Sequence, residues 1–153
     1  MIKFHDNKIC NIFYKKLHEN GQVPERNKND EQSAGWDVKS GENVVIKSGE
    51  IKAVGTGIAC EIPEGTFAMI VSRSGLSLKG IVVNNAPGII DSSYRGEWKV
   101  IIYNQSKEDF EIKVGDRIAQ CLLMGYHFQK YFELYELSET SRGSNGFGSS
   151  GVN

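Results

Sequence analysis

The chain has 153 residues, of which 39% are hydrophobic and 24% charged, and its formal net charge is −1. That length suits one domain around one core, which typically serves roughly 100 to 200 residues, and the apolar content is enough to offset chain entropy without staples. The balanced charge excludes a bulk attraction to nucleic acid or to an anionic membrane, so any phosphate binding must be local.

The chain opens Met1-Ile2-Lys3-Phe4-His5-Asp6 with no apolar segment after a basic one, and no run approaches the ~18 apolar residues that span a bilayer. A cytoplasmic, reducing compartment is expected. Cys10, Cys60 and Cys121 are widely spaced and odd in number, so they read as buried free thiols rather than a disulfide framework or zinc ligands. His5, His18 and His127 stand apart from any second ligand or nucleophile, which argues against protein-held zinc and triad chemistry. Any metal is expected to be Mg²⁺ carried in with substrate phosphates. Asn104-Gln105-Ser106 fits the glycosylation sequon, but without secretion it is read as chance.

Seventeen glycines and three prolines scattered among short apolar runs predict strands and tight turns. Glu19 to Gln32 is polar, carries Pro24 and is expected to be poorly ordered. Glu42 to Glu50 alternates and turns at Lys47-Ser48-Gly49-Glu50, and Ile51 to Ile62 and Phe67 to Val71 read as strands rich in β-branched or aromatic residues. Val71-Ser72-Arg73-Ser74-Gly75-Leu76 then sets an arginine, a hydroxyl and a flexible backbone after an apolar strand, which is phosphate-binding chemistry or a polar turn. At most one short helix is expected, near Ser74 to Lys79.

From Asn84 to Glu97 the chain reads Asn84-Asn85-Ala86-Pro87-Gly88-Ile89-Ile90-Asp91-Ser92-Ser93-Tyr94-Arg95-Gly96-Glu97. An asparagine offers both a donor and an acceptor, as reading uracil against cytosine requires. Asp91 at a strand end can serve as general base on water with Tyr94 packing on a sugar or base, although by its neighbours alone it reads first as a structural turn acid. Trp98 to Asn104, Phe110 to Val114 with its turn at Gly115-Asp116, and Ile118 to Met124 complete the strands. Gln120 interrupts the last run, and an inward amide needs partners. Asp116 and Arg117 read as a turn acid and a solvated or paired base.

Six or more such strands favour an all-β sandwich, barrel or jelly roll. The domain is placed at residues 1–137 and a flexible Gly/Ser-rich arm at 138–153. Within the arm Gly146 to Gly151 satisfies G-x-G-x-x-G, yet the chain ends two residues later and no βαβ unit can follow. An arm with Arg142 and Phe147 can instead fold over a ligand.

In order, these segments resemble the five motifs of the homotrimeric dUTPase family, the dUTP pyrophosphatases, over essentially the whole chain. Ser33-Ala34-Gly35-Trp36-Asp37-Val38 is similar to the first, Arg73 to Leu76 to the second, Asn85 to Glu97 to the third, Gly115 to Gln120 to the fourth and Arg142 to Gly151 to the fifth. The resemblance implies a distorted β jelly roll of the β-clip type, a trimer with active sites shared between subunits, and hydrolysis of dUTP to dUMP and pyrophosphate with Mg²⁺. It implies that Asp91 activates the attacking water and Tyr94 packs on deoxyribose. Arg73, Ser74, Gly75 and Gln120 would hold phosphates, and Asp37 would orient waters around Mg²⁺. Asn85 would read uracil in a pocket lined by Gly88, Ile89, Ile90 and Lys99. Arg142 would reach the terminal phosphate, and Phe147 with Gly148 and Ser149 would cap the base.

Departures from the family are Ser72 where proline is common, Ser93 for a second aspartate, Trp36 for Tyr, Phe or Leu, and a loop one residue shorter between Gly75 and Gly80. The shorter loop leaves open whether Asn84 or Asn85 reads the base. Other readings are a dCTP deaminase on the same fold, a nucleotide-gated protein signalling through a regulatory partner, and a barrel binding single-stranded nucleic acid. The last wants a basic aromatic groove that this charge balance disfavours.

Overall fold

The structure, a computed structural model of the chain, describes residues 10–27, 29 and 32–146. Its described elements are strands apart from a single helical turn. They run β1 (Phe13–Lys16), β2 (Glu25–Arg26), β3 (Trp36–Lys39), β4 (Val44–Ile46), β5 (Ile51–Gly55), β6 (Ile58–Glu61) and β7 (Thr66–Val71). The turn α1 (Ser74–Ser77) precedes β8 (Ile81–Val83), β9 (Gly88–Asp91), β10 (Lys99–Asn104), β11 (Phe110–Ile112) and β12 (Arg117–Gly125). No helix among the described residues is long and apolar enough to cross a membrane.

All described pairings are antiparallel. A five-stranded sheet runs β2-β3-β12-β7-β9, a three-stranded sheet β5-β10-β8, and two ribbons pair β1 with β6 and β4 with β11. Ile46, Ile58, Val38, Val54, Val100, Ile102 and Ile112 lie wholly buried between these layers, where alternation along each strand sends every second side chain inward.

Several expected elements are resized for identifiable reasons. The run from Ile51 to Ile62 is two strands, because Gly57 at φ +71° turns the chain and the His18 ring fills the space a Cβ would need. The expected helix to Lys79 stops at Ser77. The strand expected to reach Val114 ends at Ile112, where Asp116 N–H donates to the Lys113 carbonyl at 3.0 Å and closes the turn. Within the polar stretch expected to lack order, Glu25–Arg26 forms β2, pinned by the Arg26 guanidinium stacked 5.5 Å from the Trp36 ring. Cys60 and Cys121 are buried as expected, but Cys10 is exposed, since it precedes β1 outside the core.

The sequon asparagine has a packing role. Asn104 is 0% exposed, its Nδ2 donates to the carbonyls of Ile46 and Glu108, and its Oδ1 accepts from the Ser106 N–H and hydroxyl. Every polar capacity of that amide locks the bend between β10 and β11.

Candidate active site

Three strands of the large sheet bring one group of polar residues together. Gln120 of β12 lies directly opposite Asp37 of β3 on one side and Val71 of β7 on the other, and residues opposed in this way share a sheet face. Gly35 leaves room for the Gln120 amide, since a Cβ there would stand 3.2 Å from its Cδ. Asp37 is 8% exposed, with Arg73 Nε 3.0 Å from Oδ1 and Arg117 Nη1 3.4 Å from Oδ2. The Arg73 contact is an ion pair without hydrogen-bond alignment, because Nε and Oδ1 are both buried and neither completes a hydrogen bond. Arg73 Nη1 donates to the Arg117 carbonyl at 3.0 Å.

Beyond Val71 the chain leaves the sheet. The Ser72 hydroxyl, in the position where the family often has proline, accepts the Val83 N–H at 2.8 Å and ties the end of β7 to β8. Arg73 is extended (φ −88°, ψ 133°) and its carbonyl collects the N–H groups of Leu76 and Ser77 and the Ser77 hydroxyl. The Ser74 and Gly75 N–H groups, the first of the turn, make no hydrogen bond among the described residues. An arginine fork, two open backbone donors and a hydroxyl on one loop form an anion-binding arrangement.

A second group lies around β9. Asn85, Gly88, Ile89, Ile90 and Lys99 line a pocket of about 50 Å³ walled by Ile70 and Val83. The Asn85 amide lies across Gly88, where a Cβ would be 3.3 Å from Nδ2. Asn84 is not a lining residue. Its N–H donates to the Ile101 carbonyl at 2.8 Å, continuing the ladder that sets Val83 opposite Ile102. The connection from β8 to β9 therefore places Asn85, and not Asn84, against the pocket.

Asp91 ends β9 with an exposed carboxylate that accepts no hydrogen bond among the described residues. Its carbonyl accepts the Tyr94 N–H at 3.1 Å, the Tyr94 hydroxyl donates to the Glu97 carbonyl at 3.2 Å, and Arg95 donates to the Ser92 carbonyl at 2.6 Å, so the turn is internally braced. Sequence reasoning gave Glu97 no separate role. Its Oε1 accepts the Gly57 N–H at 3.0 Å, a contact between distant segments that no local pattern announces, and its Oε2 lies 3.4 Å from Lys99 Nζ.

One chain keeps Asp91 apart from the Gln120 row. Asp91 is opposite Phe67 and Gln120 is opposite Val71, so their rows stand four residues apart on β7, about 13 Å of strand. Arg142 is in a separate turn, its Nε donating to the Asn145 carbonyl at 2.8 Å. Phe147, Gly148 and Ser149 lie outside the described residues. No cluster of three or more His, Cys, Asp or Glu suited to holding a metal occurs among the described residues. With two guanidiniums against it, Asp37 fits a role through water better than direct ligation.

The dUTPase family profile matches residues 21–151. The chain belongs to the dUTPase family. As a dUTPase it is a hydrolase, and the match favours that reading over a deaminase. It is 48% identical over 138 residues to the deoxyuridine 5'-triphosphate nucleotidohydrolase of Nautilia profundicola, covering 90% of this chain and 96% of the relative. It is 47% identical to that of Rickettsia felis, covering 94% and 99%. Among solved structures, the Staphylococcus bacteriophage 80alpha dUTPase with dUPNHPP superposes with a TM-score of 0.85 at 30% identity, covering 93% of this chain and 99% of the phage protein. A mutant dUTPase of phage phi11 of S. aureus, described for its coordination of a structural Mg(II) ion, gives 0.76 at 26% identity, covering 84% and 99%. The strand architecture of this dUTPase is thus the family's jelly roll.

Proposed function

We propose that the enzyme hydrolyses dUTP to dUMP and pyrophosphate, with Asp91 as the general base. Asp91 takes a proton from water as the water oxygen bonds the α-phosphorus, and the bond to the bridging oxygen breaks in line so that pyrophosphate leaves. Asn85 reads uracil, with Gly88, Ile89, Ile90 and Lys99 around the base and Tyr94 against the deoxyribose. Arg73, Ser74, Gly75 and Gln120 bind the phosphates. Asp37 would orient waters of a Mg²⁺ ion brought in by the phosphates, and that ion would supply neutralisation of phosphate charge. Removal of dUTP limits uracil entry into DNA, and the dUMP formed supplies thymidylate synthesis.

The observation that carries this reading is the spacing along β7. Asp91 stands at the Phe67 end, and Gln120 with the Arg73 loop at the Val71 end, as expected if each site forms between subunits of a homotrimer. The arm bearing Arg142, Phe147, Gly148 and Ser149 then closes over a site from a further subunit.

The test is Asp91→Asn. The neutral amide cannot accept the water's proton, so turnover should fall by about a thousand-fold or more while dUTP still binds. Near-normal turnover would remove Asp91 from the role of base.

A further inference from the structure

Arg117 and Gln120 stand three residues apart on β12, and a regular strand with its period of two would turn them to opposite faces. They nevertheless share one. Lys39 is opposite Arg117 and Asp37 is opposite Gln120, and Lys39 and Asp37, two apart on β3, point the same way. The parity is restored by a register shift between Arg117 and Ala119. Such bulges interrupt a ladder and re-aim a side chain, and here the interruption delivers Arg117 to the face that carries Asp37.

We propose that Arg117 is a positioning residue for the phosphates, acting through Asp37 and Arg73 rather than on substrate. The proposal rests on the phosphate-binding reading of this face given above. Arg117 acts at two points, its guanidinium 3.4 Å from Asp37 Oδ2 and its carbonyl accepting from Arg73 Nη1 at 3.0 Å. The other cation on this face, Lys39, is engaged by Glu25 at 2.7 Å. Arg117 is thus the charge that shares Asp37 with Arg73.

That sharing decides what Arg73 can do. A carboxylate facing a lone arginine draws it into a two-bond fork, which would consume the donors that bind an anion. In this arrangement Arg73 faces Asp37 through Nε alone, and without hydrogen-bond alignment. One Nη1 hydrogen goes to the Arg117 carbonyl, so of the five guanidinium donors both Nη2 hydrogens and the second Nη1 hydrogen remain for phosphate. Without the Arg117 charge, Asp37 captures the Arg73 fork. The Arg117 side chain is half exposed, so its loss leaves the core untouched.

The experiment is calorimetric titration of the full-length protein with Mg²⁺ and either the α,β-imido analogue of dUTP or dUMP. The proteins are wild type, Arg117→Ala, Arg117→Lys, Asp37→Asn and the Asp37→Asn/Arg117→Ala double variant. Arg117→Ala should weaken the triphosphate analogue about ten-fold, leave dUMP within about two-fold and leave the thermal midpoint in place, and Arg117→Lys should recover most of the loss. With Asp37 neutralised, removing Arg117 should change nothing further, because coupled residues are not additive. Equal losses for both ligands, or the full ten-fold loss persisting beside Asp37→Asn, would overturn the proposal. A wild type that binds the triphosphate analogue no better than dUMP would instead overturn the underlying reading of the face.

Discussion

Asp91 and Gln120 are both held against β7, Asp91 opposite Phe67 and Gln120 opposite Val71, their rows four residues of strand apart. The loop carrying Ser74 and Gly75 follows the Val71 end of β7. A triphosphate with its α-phosphorus at Asp91 is too short to reach that loop in the same chain. If the missing half comes from a neighbour, two separately inactive variants can repair each other. Asp91→Asn and Arg73→Ala should each abolish turnover, and co-refolding them in equal amounts should restore about a quarter of wild-type activity, the fraction of shared sites that draw both intact halves. Activity that stays at background after verified subunit mixing would place both residues in one chain's site.

Gly96 shapes the site through its missing side chain. A Cβ there would stand 2.5 Å from Tyr94 Cζ, with the hydroxyl closer still, so Gly96→Ala must push the ring outward and break its bond to the Glu97 carbonyl. The lost hydrogen bond should cost about 1 kcal/mol of stability. The displaced ring should also lower the preference for dUTP over UTP by about ten-fold, roughly what 1.4 kcal/mol of differential binding gives. Comparing kcat/KM for the two nucleotides checks this, with Tyr94→Phe as the control that keeps the ring. An unchanged ratio would detach Tyr94 from sugar selection.

The legible parts of this molecule are those encoded by short-range pattern. Runs of β-branched and aromatic residues mark β7, β10 and β12 to within a few residues, alternation marks β4 and β11, and Gly49 and Gly115 mark turns because their positive φ suits glycine. Alternation fails for β8 and β9. Ile81–Val83 is too short to show a period, and Gly88–Asp91 reads as a glycine-rich turn until its pairing with β7 is seen. That the Asn85 amide, and not Asn84, lies across Gly88 depends on the β8–β10 pairing, which no local pattern announces. The Arg117 contacts depend on a bulge, and nothing within Gly115-Asp116-Arg117-Ile118-Ala119-Gln120 tells a bulged strand from a regular one.

Burial separates the three thiols. It pushes Cys60 up to about 11 and Cys121 up to about 12 from an ordinary 9.0, with the nearby Cys60 adding to the effect on Cys121. The native state therefore keeps both protonated at pH values where the unfolded chain releases them. Stability from this source is fully present below pH 9 and declines as pH rises toward 11 to 12. Chemical denaturation at pH 8 and pH 10 should give the lower stability at pH 10, and Cys60→Ala/Cys121→Ala should reduce that difference. At pH 8 a thiol reagent should modify Cys10 rapidly and the other two only on unfolding. Rapid labelling of all three in the native enzyme would contradict the burial.

After β12 the chain carries Phe128, Tyr131, Phe132, Leu134, Tyr135 and Leu137 with no strand to hold them, Phe132 being 80% and Tyr135 100% exposed. A strip of this kind on a single chain marks an association surface. Arg142 follows in a turn closed by the Gly143 N–H on the Thr140 carbonyl. The two stretches should therefore fail differently when altered. Ending the chain before Arg142 should remove most of the turnover while the protein still runs as a trimer, since the arm closes a site without building the interface. Phe132→Ser/Tyr135→Ser should shift the mass toward monomer in light scattering and lose activity in proportion to the trimer lost, because an isolated chain keeps Asp91 and the phosphate group apart. Retained trimer in the double variant would assign the interface to another surface, and full activity in the truncated chain would remove Arg142 from the site.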